Sequence, residues 1–230
     1  MNVNSNAYTY TFATIMVVVV AVLLSGASLG LKSKQAANIS QEKKQSILAS
    51  IGIEKDRSES DAAFNEFVKQ SLTLQGGKVV SEDASAAFEI DMAAAIKNGN
   101  MDRQVPLYVA EKDGETFYIV PMRGKGLWGP VWGYLALESD GNTVVGATFD
   151  HKSETPGLGA EITTAMFTEQ FPGKKISEAG VFQSISVVKA GTSQGDYMVD
   201  GISGGTITSN GVNDMLADCL APYAEYFKNI

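Results

Sequence analysis

Residues Asp200-Gly201-Ile202-Ser203-Gly204-Gly205-Thr206 set an exposed threonine behind two glycines, just before a helix-compatible run. A hydroxyl in that setting is suited to accept a large phosphate-bearing group. Glycine at 204 and 205 removes side-chain bulk, so a second enzyme and a bulky cofactor can reach Thr206. Thr208, Ser209 and Asn210 add hydroxyl and amide caps. The helix N-terminus that follows offers free N–H groups and the positive end of its dipole to a phosphate. The same residues also read as a Gly-rich turn capped by Thr208 or Ser209, and spacing alone leaves both readings open.

Asp-Gly-Ile-Ser-Gly-Gly-Thr resembles the flavin-attachment motif of bacterial redox proteins in which FMN is esterified through its phosphate to threonine. The pattern there is Asp, a small residue, any residue, Ser or Thr, Gly, usually Ala, then the acceptor Thr. Gly205 stands where Ala is usual, which keeps access but leaves the loop less rigid. The resemblance implies Thr206 as the modified residue, because Thr208 and Ser209 stand at the wrong distance from Asp200. Asp200 is then expected to help present Thr206, or else to cap the Gly201 turn.

Two further glycine-rich loops suit a flat, largely apolar ring with polar edges. Glu154-Thr155-Pro156-Gly157-Leu158-Gly159 follows a strand-like run and precedes a helix-like one. Leu158 offers apolar contact, and the Gly157 and Gly159 amides offer donors at a ring's rim. A tight strand-to-helix turn is the plain alternative. Gly124-Lys125-Gly126-Leu127-Trp128-Gly129 matches the Gly-x-Gly-x-x-Gly pattern literally, but a strand-like run follows where a dinucleotide fingerprint requires a helix, so an NADH site is rejected. As a wall near the flavin, this loop would offer Trp128 for stacking and Lys125 to offset flavin or phosphate charge. For Trp128 the alternative is ordinary core packing.

Composition narrows the chemistry further. The 230 residues carry a net charge of −8, against the basic face that a nucleic-acid binder needs. One cysteine, Cys219, makes no internal disulfide and holds no iron–sulfur cluster, and one histidine, His151, builds no His-rich metal site. If electrons move through this chain, an organic cofactor must carry them.

No charged side chain occurs from Met1 to Leu31, and the run from Thr11 to Leu24 is strongly apolar. About 20 helical residues span a bilayer core of ~30 Å. A retained transmembrane helix is therefore expected over 10–31, after a short tail at 1–9 and before a juxtamembrane helical segment at 32–60. The segment lacks the basic start and the clear cleavage site of a signal peptide. Tyr8 and Tyr10 fall at one interface and Lys32 and Lys34 at the other. Without charge at membrane depth, the helix has no ion path of its own. Gly26 and Gly30 form a small-residue face for a neighbouring helix, or a chance run of small residues at the helix exit. Lys32, Lys34, Lys43 and Lys44 all follow the span, so the positive-inside rule alone would keep the remainder of the chain in the cytoplasm.

The soluble part, 61–230, reads as one α+β domain around a twisted antiparallel sheet with flanking helices. A helix is expected over 61–72 and another over 160–171, stopped by Pro172-Gly173. Strands are expected over 115–122, 131–137, 143–149 and 184–189, with a type I′ hairpin through Asp140-Gly141. No firm period emerges from 76 to 110. An apolar stripe from Val212 to Phe227 marks an amphipathic C-terminal helix, on which Cys219 is a small core residue.

With the anchor and the three motifs in order, nearly the whole chain resembles the C-subunit family of bacterial sodium-translocating NADH:quinone oxidoreductases (Na+-NQR). That resemblance implies one N-terminal transmembrane helix and an FMN-binding domain on the periplasmic side of the inner (cytoplasmic) membrane. It implies FMN bound covalently at Thr206 by a flavin transferase, with Asp200, Ser203, Gly204, Gly205, Thr208, Ser209, the 154–159 loop, Lys125 and Trp128 around it. The partners implied are the A, B, D, E and F components of that complex. Electrons would pass between an iron–sulfur centre held by the D and E components and the covalent FMN of the B component. The G-component of the Rnf ferredoxin:NAD complex resembles this chain too. A membrane-tethered FMN module without respiratory role is the reading from another class.

Overall fold

The computed structural model describes residues 3, 5–97 and 102–228. Helix α1 runs unbroken over Asn6–Ala49 and is the one helix, among the described residues, long and apolar enough to cross a membrane. The helical segment expected after the span is thus the same helix. The chain divides into two compact units, Met1–Lys43 and Lys44–Ile230. The second therefore begins within α1, earlier than residue 61, because Ile47 and Leu48 are fully buried in its core.

Six antiparallel strands form the centre of this second unit. They are β1 (Val68–Gln75), β2 (Lys78–Ser81), β3 (Val105–Lys112), β4 (Glu115–Lys125), β5 (Pro130–Leu137) and β6 (Val144–His151), in the spatial order β2-β1-β3-β4-β5-β6. Side chains alternate between the two faces of a strand, and here both faces are covered. On one face Tyr108, Ile119 and Tyr134 join Ile47, Leu48 and Phe64, the last from α2 (Ser60–Phe67). On the other, Leu107, Met122 and Leu135 meet Val212, Leu216 and Tyr223 of the C-terminal helix. Double coverage explains why Val131 to Leu137 is nearly continuous in apolar residues instead of alternating with polar ones.

Short helices α3 (Ala84–Glu89) and α4 (Met92–Lys97) precede β3. After β6 come α5 (Ala165–Thr168), a small antiparallel pair β7 (Ser177–Glu178) and β8 (Val181–Phe182), and a parallel pair β9 (Ser186–Val188) and β10 (Met198–Asp200). Helix α6 (Thr206–Phe227) is the last element.

Three expectations are corrected. The helix expected over 61–72 stops at Phe67, since Val68 onward pairs with β3, Leu72 opposite Leu107. The helix expected over 160–171 is a 3-10 turn at Gly159–Thr163, a break at Thr164 and the four residues of α5. There the Thr163 and Thr164 hydroxyls donate to the carbonyls of Ala160 and Glu161, competing with the helical ladder. The Asp140-Gly141 hairpin is not type I′: only Gly141 has positive φ, and the Asp140 carboxylate accepts instead from the Asn142 and Thr143 amides. The two-residue Asp-Gly turn is Asp113-Gly114, φ 55° and 84°, joining β3 to β4. Strands β2 and β3 occupy part of the 76–110 stretch that lacks a firm period. Residues 98–101 of that stretch lie outside the described residues.

Candidate functional site

Thr206 is the first residue of α6 and is exposed. No side chain caps this helix end, since Gly205 occupies the N-cap position. The first turn thus keeps unpaired N–H groups and the positive dipole end beside the hydroxyl. The turn reading, with Thr208 or Ser209 as cap, is not what forms: both lie inside the helix and are buried. Thr208 donates to Glu154 Oε2 at 2.6 Å, and Ser209 Oγ accepts from the Ile202 amide at 2.9 Å. Of the hydroxyls from 203 to 209, those of Ser203 and Thr206 remain exposed.

Beside Thr206 lies a cleft of about 380 Å³, lined by Val188, Lys189, Ile202, Ser203, Gly204 and Asn210 among others. Asn210, expected as an amide cap, is instead an exposed polar member of this cleft, and Lys189 is a polar member that the sequence motifs do not include. The signal for Lys189 is tertiary, because parallel pairing of β9 with β10 brings it beside the Gly201 turn. Asp200 caps the loop that follows Lys189 rather than the Gly201 turn. Its Oδ1 accepts from the amides of Thr192 and Ser193 at 2.9 and 2.8 Å, and its own backbone is clamped by the Gln170 side chain. The Ser193 N–H bond, helped by Thr192, lowers the Asp200 pKa below the usual aspartate value.

The Glu154–Gly159 loop reaches the same helix end. Leu158 is 43% exposed, and a Cβ placed on Gly204, at φ 78°, would stand 2.8 Å from its Cδ2. The Gly157 amide donates to Glu161 Oε1, so this one of the two expected rim donors is engaged within the loop. Thr155 and Pro156 are exposed, whereas Gly159 is buried against Thr208 and Glu154.

Gly126 to Gly129 form the tip of the β4–β5 hairpin, closed by a Gly126 N–H to Gly129 carbonyl bond of 2.8 Å. Trp128 is 65% exposed there, which replaces the core-packing alternative. Its glycines serve packing. A Cβ on Gly124 would stand 2.7 Å from Met215 Cβ of α6, and one on Gly126 would stand 2.6 Å from Glu154 Oε1. Lys125 opens onto a separate cleft of about 520 Å³, with Arg123, Met215 and Asp218, and does not line the one beside Thr206. The Cys219 thiol, buried against the Arg123 backbone, has its pKa raised to about 11 by burial, in keeping with a core role.

The arrangement fits a phosphate ester: an accessible hydroxyl, an uncapped helix start, a cation in the adjoining cleft and exposed apolar side chains around it. The FMN-binding domain family matches residues 126–221, a range that holds Trp128, the 154–159 loop and Thr206. The C-subunit of the Na(+)-translocating NADH-quinone reductase of Vibrio alginolyticus is 35% identical over 210 residues, covering 84% of this chain and 81% of that one. The Neisseria meningitidis C-subunit is 32% identical over 213 residues, covering 86% and 83%. The crystal structure of the Parabacteroides distasonis C-subunit superposes with a TM-score of 0.78 at 44% identity, covering 86% of this chain and 96% of that one. NqrC of Shewanella oneidensis gives 0.67 at 27% identity, covering 83% and 96%. The chain belongs to the C-subunit family of Na(+)-translocating NADH-quinone reductases and is an electron-transfer subunit built on an FMN-binding domain.

Proposed function

We propose that this protein carries FMN esterified through its phosphate to Thr206 and relays electrons within a membrane complex that couples NADH oxidation and quinone reduction to sodium export. The observation that carries the reading is the division of hydroxyls at the start of α6. Thr208 and Ser209 are buried and bonded, while Thr206 stands exposed at the uncapped helix end. In forming the ester, Thr206 Oγ1 bonds to the flavin phosphorus of a flavin dinucleotide donor as its phosphoanhydride bond breaks, the nucleoside monophosphate leaves and the hydroxyl proton is lost. FMN supplies reversible uptake and release of electrons. The protein would orient the group: the first turn of α6 and Lys189 would hold the phosphate, and Leu158 and Trp128 would offer apolar contact to the ring. A phosphoester leaves the ring unmodified, so packing and hydrogen bonds set its potential.

The transmembrane span 10–31 holds the FMN-binding domain at the membrane, with the domain on the periplasmic side. Sodium passes through the partner proteins of the complex, since the span carries no charge of its own. A flavin transferase acts once, during maturation. Intact-mass measurement on chain from a host with the transferase tests the attachment. Wild type and Ser203→Ala are expected to gain the FMN mass, and Thr206→Ala to remain folded, membrane-bound and unmodified. FMN mass on Thr206→Ala would rule this acceptor out.

A further inference from the structure

Glu154 is a buried carboxylate, 5% exposed, on the loop between β6 and the 3-10 turn. Its two oxygens tie two distant segments together. Oε2 accepts from the Thr208 hydroxyl at 2.6 Å, and Oε1 accepts from the Trp128 amide at 2.8 Å. Its own amide donates to His151 Nδ1 at 3.1 Å, which anchors the start of the loop to the end of β6. Gly126 and Gly159 flank the carboxylate, and a Cβ on either would stand 2.6 Å from one of its oxygens. Among the described residues no cation pairs with it. Two hydrogen bonds and the nearby start of α6 are what offset the cost of burying its charge.

We propose that Glu154 is a positioning residue for modification of this chain, rather than a group that touches the flavin. By pinning Thr208 inward it fixes the rotation of the first turn of α6. Thr206, two residues earlier and therefore about 200° around the helix, is held outward for the transferase. By holding the Trp128 amide it sets the β4–β5 hairpin tip in register with the same turn. The assignment rests on Thr206 being the acceptor.

The test uses the full chain, produced with the flavin transferase, and follows the mass gain over time by intact-mass measurement. Hydrogen exchange of the Ser209 amide, which donates to the Gly205 carbonyl at 2.9 Å and so closes the first turn of α6, is read on unmodified chain from a host without the transferase. Glu154→Ala and Thr208→Val should each slow attachment about tenfold, the scale of one lost buried bond to a charged group, and speed exchange in the first turn of α6. The double variant should be no slower than Glu154→Ala alone, as expected for two ends of one interaction. Glu154→Gln, which can still accept from Trp128 and donate to Thr208, should recover most of the rate. Cys219→Ala, a comparably buried change away from this tie, should leave the rate unchanged. Wild-type rates and exchange in Thr208→Val would overturn the proposal, and so would equal slowing in Cys219→Ala. If wild type itself gains no flavin mass, the Thr206 reading fails, and first-turn exchange still decides whether Glu154 holds the turn.

Discussion

Gly204 and Gly205 look interchangeable as small residues that clear space before Thr206, yet the backbone separates them. Gly204 has φ 78°, a region that costs an L-residue about 1–2 kcal/mol. Its Cβ would also meet Leu158 Cδ2 at 2.8 Å. Gly205 has φ −106°, open to any residue, and its Cβ would meet Ile202 Cβ at 3.1 Å and the Leu158 carbonyl carbon at 3.2 Å, contacts that a backbone adjustment of a few tenths of an ångström relieves. Gly204→Ala should therefore destabilise the domain by about 2 kcal/mol. Gly205→Ala should stay within about 1 kcal/mol of wild type, because reduced unfolded-chain entropy offsets the tighter contact. Urea unfolding of the two variants decides this, and equal losses would mean that φ is not what distinguishes the positions. The family pattern, with Gly at the first position and usually Ala at the second, follows the same division.

At the scale of elements, α6 contains a proline that a helix interior does not normally tolerate. Pro222 has no N–H for the Asp218 carbonyl, a defect worth ~3 kcal/mol in an ordinary helix. The Arg103 guanidinium, from the segment before β3, donates to that freed carbonyl. Removing Arg103 should thus leave a carbonyl without its partner. Arg103→Ala is expected to cost about 1–2 kcal/mol in wild type and about 1 kcal/mol less in a Pro222→Ala background, where the helix bond re-forms. Strictly additive losses in urea would separate the two features. The apolar stripe from Val212 to Phe227 was legible in the sequence because it repeats at helical spacing over many turns, and Pro222 did not break it. Strand β1 was not legible: Phe64, Phe67, Val68 and Leu72 fit a helical period, and what makes Val68–Gln75 a strand is its pairing with β3, which is tertiary. The Thr206 motif was readable as an exposed hydroxyl behind glycines. The Glu154–Thr208 bond was not, since it joins positions 54 residues apart. The placement of Lys125 was not legible for the same kind of reason, because the fold sets it, with Gly124, in a cleft against Met215 of α6 and not in the one beside Thr206.

For the whole molecule, two physical effects pull the FMN-binding domain toward opposite sides of the membrane. Local charge favours the cytoplasm: Lys32, Lys34, Lys43 and Lys44 follow the span, and no charge precedes it. Cofactor economy favours the other side. A noncovalent flavin can be replaced from the cytoplasmic pool, whereas outside the cell free FMN is dilute and a lost group is not recovered. A phosphoester at Thr206 has its greatest use where replacement is impossible. A helix that inserts alongside partner helices need not follow its own flanking charges, and the Gly26–Gly30 face offers such close contact. The periplasmic placement therefore predicts that alkaline phosphatase, which requires an oxidising compartment, will be active when fused after Ile230 and co-expressed with the rest of the complex. Fused before Met1 it should be inactive. A stable but inactive C-terminal fusion would place the domain in the cytoplasm and remove this rationale for the covalent bond, while leaving the intact-mass test of Thr206 unaffected.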